Sequence, residues 1–306
     1  MKKNLVTGGF GFIGSHLIDR LIELGESVIC IDNLSSGSDS NLKKLINNTK
    51  FSFINGDILQ TYEIDFDRLW HLACPASPKE YLKDPILTSE INFSGTLNLL
   101  KAAKDNNAKV IFASSSEVYG NCEIIPQEEN ILGEINTSSK RSCYSNGKRI
   151  AETLCFDFIR KYSMDIKIAR IFNTYGPGLR KDDGRVVSNF INQALKGEPL
   201  TIFGKGNQTR SFCYIADTID ALILLMENNY IGSINIGNPD EISIIELAKL
   251  IDNKIFAKKD YLFKDYFSDE PFRRCPSLKL IKKVTNWSPK INLDKGLDLT
   301  IKYFKK

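Results

Sequence analysis

Tyr144 and Lys148 stand four residues apart in CYSNGKR, a spacing that on a helix brings both side chains to one face. An ammonium beside a phenol favours the phenolate and so suits a general base. Alone, Y-x-x-x-K is common on solvated helices. Here it accompanies SSSEVYG at 114–120, where three hydroxyls and the Glu117 carboxylate follow an apolar run. A hydroxyl such as that of Ser115 could bond the same substrate oxygen as the tyrosine. A third feature, GGFGFIG, sets Gly8, Gly11 and Gly14 between an apolar run and a helical pattern. Glycines at such a turn let backbone N–H groups approach a pyrophosphate at the positive end of a helix. They also make plain tight turns, but Asp32 follows near the expected interval of about 20 residues for a ribose-binding acid. A carboxylate there accepts bonds from the 2′- and 3′-hydroxyls and repels a 2′-phosphate. No arginine adjoins it, so NAD is expected rather than NADP. Asp57, in NGDI, is a candidate for the adenine side, although a Gly-Asp pair also simply turns the chain.

The elements that must hold these groups alternate. Strand-like runs, most of them rich in β-branched or aromatic residues, occur at 5–7, 27–31, 51–54, 69–73, 109–113 and 166–172. Helix-period segments lie near 12–24, 40–47, 90–105 and 144–162. That order implies βαβ units and a parallel sheet covered on both faces, an α/β fold of Rossmann-type doubly wound form. After about residue 176 the texture changes. A polar loop, YGPGLRKDDGR, precedes helical segments at 186–196, 214–228, 243–252 and 294–304 and short strands at 200–203 and 233–236. We read residues 1–176 as an NAD-binding domain and 177–306 as a smaller C-terminal α/β substrate lobe, with the chain free to cross between them.

Composition excludes several classes of function. Hydrophobic residues make up 42% and charged residues 25% of 306, ordinary for a folded domain. A net charge of +4 leaves no electrostatic footprint for nucleic acid, though it suits an anionic small molecule. Seven scattered cysteines without a C-x-x-C pair argue against a disulfide framework or a zinc site, and His16 and His71 are too few for a histidine-based metal centre or a serine-hydrolase triad. No apolar run reaches about 18 residues. The expectation is a soluble cytoplasmic protein with no metal and no membrane or nucleic-acid partner. Arg210 in NQTRSF and Arg274 in PFRRCPS are candidate ligands for phosphate or carboxylate, with Arg273 a rival to its neighbour.

From GGFGFIG to NWSPKINLDKGL the chain resembles the extended short-chain dehydrogenase/reductase family. HLACPASPKEY, SSSEVYG, RSCYSNGKR, ARIFNTYGP, DDGRVVSNF and NQTRSF resemble most closely the group that decarboxylates UDP-glucuronate. The resemblance implies oxidation of the sugar at C4 by NAD, loss of CO2 from a 4-keto sugar, and return of the hydride to give UDP-xylose. It implies that Ser115, Glu117, Tyr144, Lys148 and Arg274 are catalytic, with Arg274 on the sugar carboxylate. It places Gly8, Gly11, Phe12, Ile13, Gly14, Asp32, Asn33, Ser35, Ser36, Gly37, Asp57, Ile58, Leu72, Cys74, Tyr144, Lys148, Thr174 and Arg185 at the cofactor. Pro78, Tyr81, Ser116, Asn173, Arg185, Val187, Asn189, Phe203, Gln208, Arg210 and Arg274 fall at the UDP-sugar, with Arg210 on the diphosphate. A homodimer through the helices at 90–105 and 144–162 is implied as well, with Leu97, Leu99, Leu100, Leu154 and Phe158 compatible with it or with packing on the sheet.

The chain departs from the group's pattern in three places. Ser115 replaces a threonine, Ser145-Asn146 replaces an acidic pair, and Gly178 replaces an arginine, with Arg180 close behind. Related chemistries share the C4 oxidation. A 4,6-dehydratase expels the C6 hydroxyl with an Asp-Glu pair after the strand end, where this chain has Ser116-Glu117. A 4-epimerase needs no carboxylate there, and burying an unpaired one is costly. Glu117 therefore favours decarboxylation, where one acid can help protonate C5. A 4-epimerase, and a decarboxylase that releases the 4-keto pentose with NADH, remain the alternatives.

Overall fold

The computed structural model describes residues 2–37, 45–256, 260–265 and 271–306. Its centre is a sheet of seven parallel strands. Six come from residues 1–176: β1 (Lys3–Thr7), β2 (Ser27–Asp32), β3 (Phe51–Asn55), β4 (Arg68–His71), β5 (Lys109–Ser115) and β6 (Ile166–Ile171). Running across the sheet, the strand Gly232–Ile236 is followed by β6, β5, β4, β1, β2 and β3. The order reverses direction between β1 and β4, the switch point where α/β sheets bind ligands beyond the carboxyl ends of their strands.

Period-two alternation sorts side chains onto the two faces of this sheet. Val6, Trp70 and Ile111 join one apolar core with Leu17 and Ile18 of helix α1 (Phe12–Glu23) and Leu222 and Leu225 of the helix Ile215–Glu227. Their neighbours Leu5, Leu69, Val110 and Phe112 join the other, with Leu99, Leu100, Ala151 and Phe158. Leu99, Leu100 and Phe158 thus pack on the sheet. The apolar side chains left exposed on those helices and the segment before them include Ile86, Phe93 and Ile150.

Most expected elements form close to their expected limits. The helix expected near 40–47 lies, but for its last residues, outside the described residues. The segment expected as one helix at 90–105 is a helix Pro85–Glu90, a single wide turn Ile91–Gly95 and a helix Thr96–Asp105. Residues 215–236 return to the first lobe, since Gly232–Ile236 pairs with β6. A three-stranded sheet of two- and three-residue pieces was not expected, being too short to carry a period. In it Thr209–Ser211 pairs with Glu241–Ser243 on one side and Arg273–Arg274 on the other. No helix among the described residues is long and apolar enough to cross a membrane.

A buried polar network joins β5, β6, the long helix Ser142–Tyr162 and the seventh strand. Arg170 donates to both oxygens of Glu152, at 3.0 and 2.8 Å, and to the Tyr119 hydroxyl and the Glu129 carbonyl. Ser114 donates to Glu152, and Tyr119 to Asn235. Breaking a buried pair leaves an uncompensated charge. We expect Arg170→Ala to cost about 3–5 kcal/mol, read as a fall in the denaturant midpoint, whereas Arg160→Ala, at an exposed ion pair, stays within about 0.5 kcal/mol of the unsubstituted protein.

Candidate active site

A cavity of about 990 Å³ opens beyond the carboxyl ends of the central strands. On the cofactor side its wall is the glycine turn. Gly8 has φ +71°, and a Cβ there would meet the Ala73 backbone at 2.7 Å. A Cβ at Gly14 would meet the Gly8 carbonyl oxygen at 2.2 Å, so only glycine lets α1 start this close to β1. Gly11 precedes α1 without a side-chain cap, which leaves first-turn N–H groups, including those of Phe12, Ile13 and Gly14, for an anion. Asp32 ends β2 and is 8% exposed. Burial pushes its carboxyl up, against the pull of the Phe10 and Leu34 N–H groups that donate to it at 2.9 and 2.8 Å. A carboxylate has about four lone-pair sites, so acceptor capacity remains for two ribose hydroxyls. The cradle therefore fits NAD.

Asp32, Asn33, Ser35, Gly37, Asp57 and Ile58 are not part of the cavity wall; they lie at or just after the ends of β2 and β3, beside it. Asn33 donates to Asp57 at 2.8 Å, and Gly37 packs on Phe10 of the glycine turn. Ser36, Leu72, Cys74, Thr174 and Arg185 line the cavity itself, as do Pro78, Tyr81, Ser116, Asn173, Val187, Asn189, Phe203 and Gln208.

Tyr144 and Lys148 lie on the buried face of the helix Ser142–Tyr162, 7% and 3% exposed. The Lys148 ammonium sits 5.9 Å from the Tyr144 ring centre and 4.8 Å from that of Phe112. The tyrosine ring stacks on Tyr81 at 5.0 Å. The expectation that lysine lowers the phenol is not met in this state. Burial pushes Tyr144 up, Cys74 and Glu117 add to it, and Ser115, by hydrogen bonding, and Arg185 only partly oppose them. Beneath Lys148, burial and the lysine charge push His71 down to about 3, so it is a neutral imidazole between the Thr7 and Thr96 hydroxyls. Gly147 between the two catalytic candidates lets the helix approach Asn92, which a Cβ would meet at 2.8 Å.

Strand β5 ends at Ser115, whose hydroxyl accepts the Glu117 N–H at 3.2 Å and so caps the turn Ser116–Tyr119. That turn aims Glu117 into the cavity, where Arg141 and Arg274 reach its Oε1 at 3.1 and 3.2 Å. Burial alone would push Glu117 up. Arg274, then Arg141 and Arg210, outweigh burial and hold the carboxyl below its usual range. The acid expected for C5 protonation is therefore a carboxylate in the free protein. The pair stabilises the fold above the ordinary carboxyl pKa and loses that contribution as pH falls through the lowered one.

The short sheet separates the rival arginines. Arg274 is the register partner of Arg210, and successive residues of a strand face opposite sides. Arg274 is 2% exposed and bonds Ser116 Oγ at 3.3 Å. Arg273 turns outward to an ion pair with Glu241. The sequence reading missed Arg141, which carries no motif signal beyond its place three residues before Tyr144. It also missed Lys79, whose ammonium meets Asp182 at 2.8 Å across the cavity mouth; Arg180 joins the same group through Asp182 and Glu80.

Residues 4–237 match the NAD dependent epimerase/dehydratase family. The chain is 48% identical over 302 residues to UDP-glucuronic acid decarboxylase 3 of Arabidopsis thaliana, covering 98% of this chain and 88% of that one. It is 43% identical over 305 residues to UDP-glucuronic acid decarboxylase 1 of Xenopus tropicalis, covering 100% and 72%. Among solved structures, UDP-glucuronic acid 4-epimerase from Bacillus cereus in complex with UDP-glucuronic acid and NAD superposes with a TM-score of 0.90 at 32% identity, covering 99% of each chain. The glycine cradle gives a direct test. Gly14→Ala is expected to weaken NAD binding by more than about tenfold, about 1.4 kcal/mol, in equilibrium titration, with the far-ultraviolet circular dichroism unchanged.

Proposed function

The chain belongs to the NAD dependent epimerase/dehydratase family, and from that membership we propose that it converts UDP-glucuronate to UDP-xylose and CO2, NAD-dependently and through a UDP-4-keto sugar. The observation that carries this reading is the pairing of the buried Arg274 with the ionised, cavity-facing Glu117 beside Ser115 and Tyr144. A buried guanidinium such as that of Arg274 suits a sugar carboxylate, which the substrate has and a neutral hexose lacks.

Tyr144 takes the proton of the C4 hydroxyl, and Ser115 donates a hydrogen bond to the same oxygen. NAD, held by the glycine turn and Asp32, would supply the acceptor and later the donor of the C4 hydride, and its positive charge would favour the phenolate. Lys148 adds a second cation on the same helix face and holds the cofactor ribose. Once C4 is a ketone, the C6 carboxylate lies β to it. The C5–C6 bond then breaks, its electron pair entering an enolate whose oxygen Tyr144 and Ser115 hold. CO2 leaves, and C5 takes one proton from solvent. Glu117, as a carboxylate, orients the water through which that proton arrives. Arg210 meets the diphosphate, with Asn173 and Gln208 near it. We assign residues 1–176 to the cofactor and most of 177–306 to the nucleotide sugar. Seven free cysteines suit a reducing compartment such as the cytoplasm, and the exposed Ile86, Phe93 and Ile150 suit a homodimer face.

Incubation with UDP-glucuronate and NAD is expected to release CO2 and yield UDP-xylose by NMR, without net NADH absorbance. UDP-galacturonate as the product would establish the epimerase instead, and accumulating NADH the keto-releasing variant. Tyr144→Phe is expected to lower turnover by roughly 10²–10⁴-fold and leave NAD binding intact. Unchanged turnover in that variant would remove Tyr144 as the base.

A further inference from the structure

Glu117 Oε1 is shared by two guanidiniums that arrive from opposite ends of the fold. Arg274 comes from the short sheet and is fully enclosed. Arg141 comes from the residue before the helix Ser142–Tyr162, where its carbonyl accepts the N–H groups of Tyr144 and Ser145, both at 3.1 Å. Its backbone is therefore set by the same first turn that carries Tyr144. Glu117 and Arg141 are each about a fifth exposed, so their contact faces the cavity. Arg210 acts on Glu117 from the neighbouring strand and also on Glu241. Among the described residues, Tyr144 also feels Glu117.

Resting on the decarboxylase reading above, the difficulty is that one guanidinium, Arg274, has two carboxylates to serve. When the sugar carboxylate enters, it competes with Glu117 for that cation, and two carboxylates sharing a site drive one of them toward its protonated form. We propose that Arg141 is a positioning residue that keeps the Glu117 carboxylate in place during turnover, so that Arg274 is released to the C6 carboxylate of the substrate. The two arginines then have separate duties: Arg141 holds the protein's carboxylate, and Arg274 holds the sugar's. Arg141 touches neither the reacting carbon nor the cofactor in this scheme; it acts through Glu117.

The test combines Arg141→Gln, Arg141→Lys, Glu117→Gln and the double variant, each checked for NAD binding. For Arg141→Gln we expect kcat to fall roughly tenfold at neutral pH and the acid limb of its pH profile to move up by about one unit or more. The KM for UDP-glucuronate should change less than about threefold, and Arg141→Lys should restore the limb toward its original position. The double variant should be no slower than Glu117→Gln, because the effect runs through that carboxylate. A raised KM with an unmoved pH profile would mean that Arg141 grips the substrate itself, and would overturn the proposal. So would losses that multiply in the double variant. If the unsubstituted protein released no CO2 from UDP-glucuronate, the decarboxylase reading would fall and this proposal with it.

Discussion

The geometry of the site depends on one buried ion pair, Glu152 with Arg170. Glu152 sits one turn beyond Lys148 on the long helix, and Arg170 lies on β6. Their bidentate contact locks the helix to the sheet, and Ser114 binds the same carboxylate one residue before Ser115. The two sources of reactive groups, the strand end and the helix face, are thereby held against each other by charge and not only by apolar packing. Through Tyr119 and Asn235 the network continues to the seventh strand, whose Asn235 amide donates to the carbonyls of Gln127 and Ser277. Gln127 in turn exchanges backbone hydrogen bonds with Cys275 and Ser277, next to Arg274. The guanidinium facing Glu117 is thus tied to the same frame as Tyr144.

Charge organises the cavity at two places. At the cofactor end, a helix start without a side-chain cap suits a pyrophosphate and the buried Asp32 carboxylate suits the adjoining ribose. At the substrate end, Arg274, Arg141 and Arg210 all act on the Glu117 carboxylate. Guanidiniums directed at one place suit a ligand carrying both a diphosphate and a carboxylate. The same surroundings explain why Glu117 stays ionised although largely withdrawn from solvent. They also explain why Tyr144, with burial, Cys74 and Glu117 all pushing its phenol up, is not yet primed as a base. In the proposed reaction, priming belongs to the loaded site, so proton abstraction is coupled to cofactor occupancy.

Similarity to decarboxylases along the sequence and to a 4-epimerase in three dimensions is no conflict, since both reactions begin with the same oxidation on the same frame. An epimerase must let its keto sugar turn over; in the proposed reaction Arg274 would instead hold the sugar carboxylate in place beside Glu117. The substitutions at Ser145 and Asn146 leave this arrangement intact: Ser145 bonds the Arg141 carbonyl and Asn146 the Ser142 hydroxyl, both within the helix.

Much was legible in the chain alone, because the signals are local. Alternation and helical period determined the parallel sheet, the glycine spacing determined the dinucleotide turn, and Tyr144 with Lys148 share a face by helix geometry whatever surrounds them. From the residues alone the choice of Arg274 over Arg273 was not legible, and only the family resemblance implied it. It depends on which face of a two-residue strand looks inward, and that is decided by pairing with Arg210, 64 residues earlier. The return of Gly232–Ile236 to β6 was hidden for the same reason, since a short apolar strand carries no mark of its neighbour. Arg141 was hidden because its partner Glu117 lies 24 residues away across a turn. The tyrosine pKa was misjudged because Y-x-x-x-K specifies proximity but not burial. Residue types and spacing determined which chemistry the chain can attempt; only tertiary packing decided which charges meet and which of them are dry.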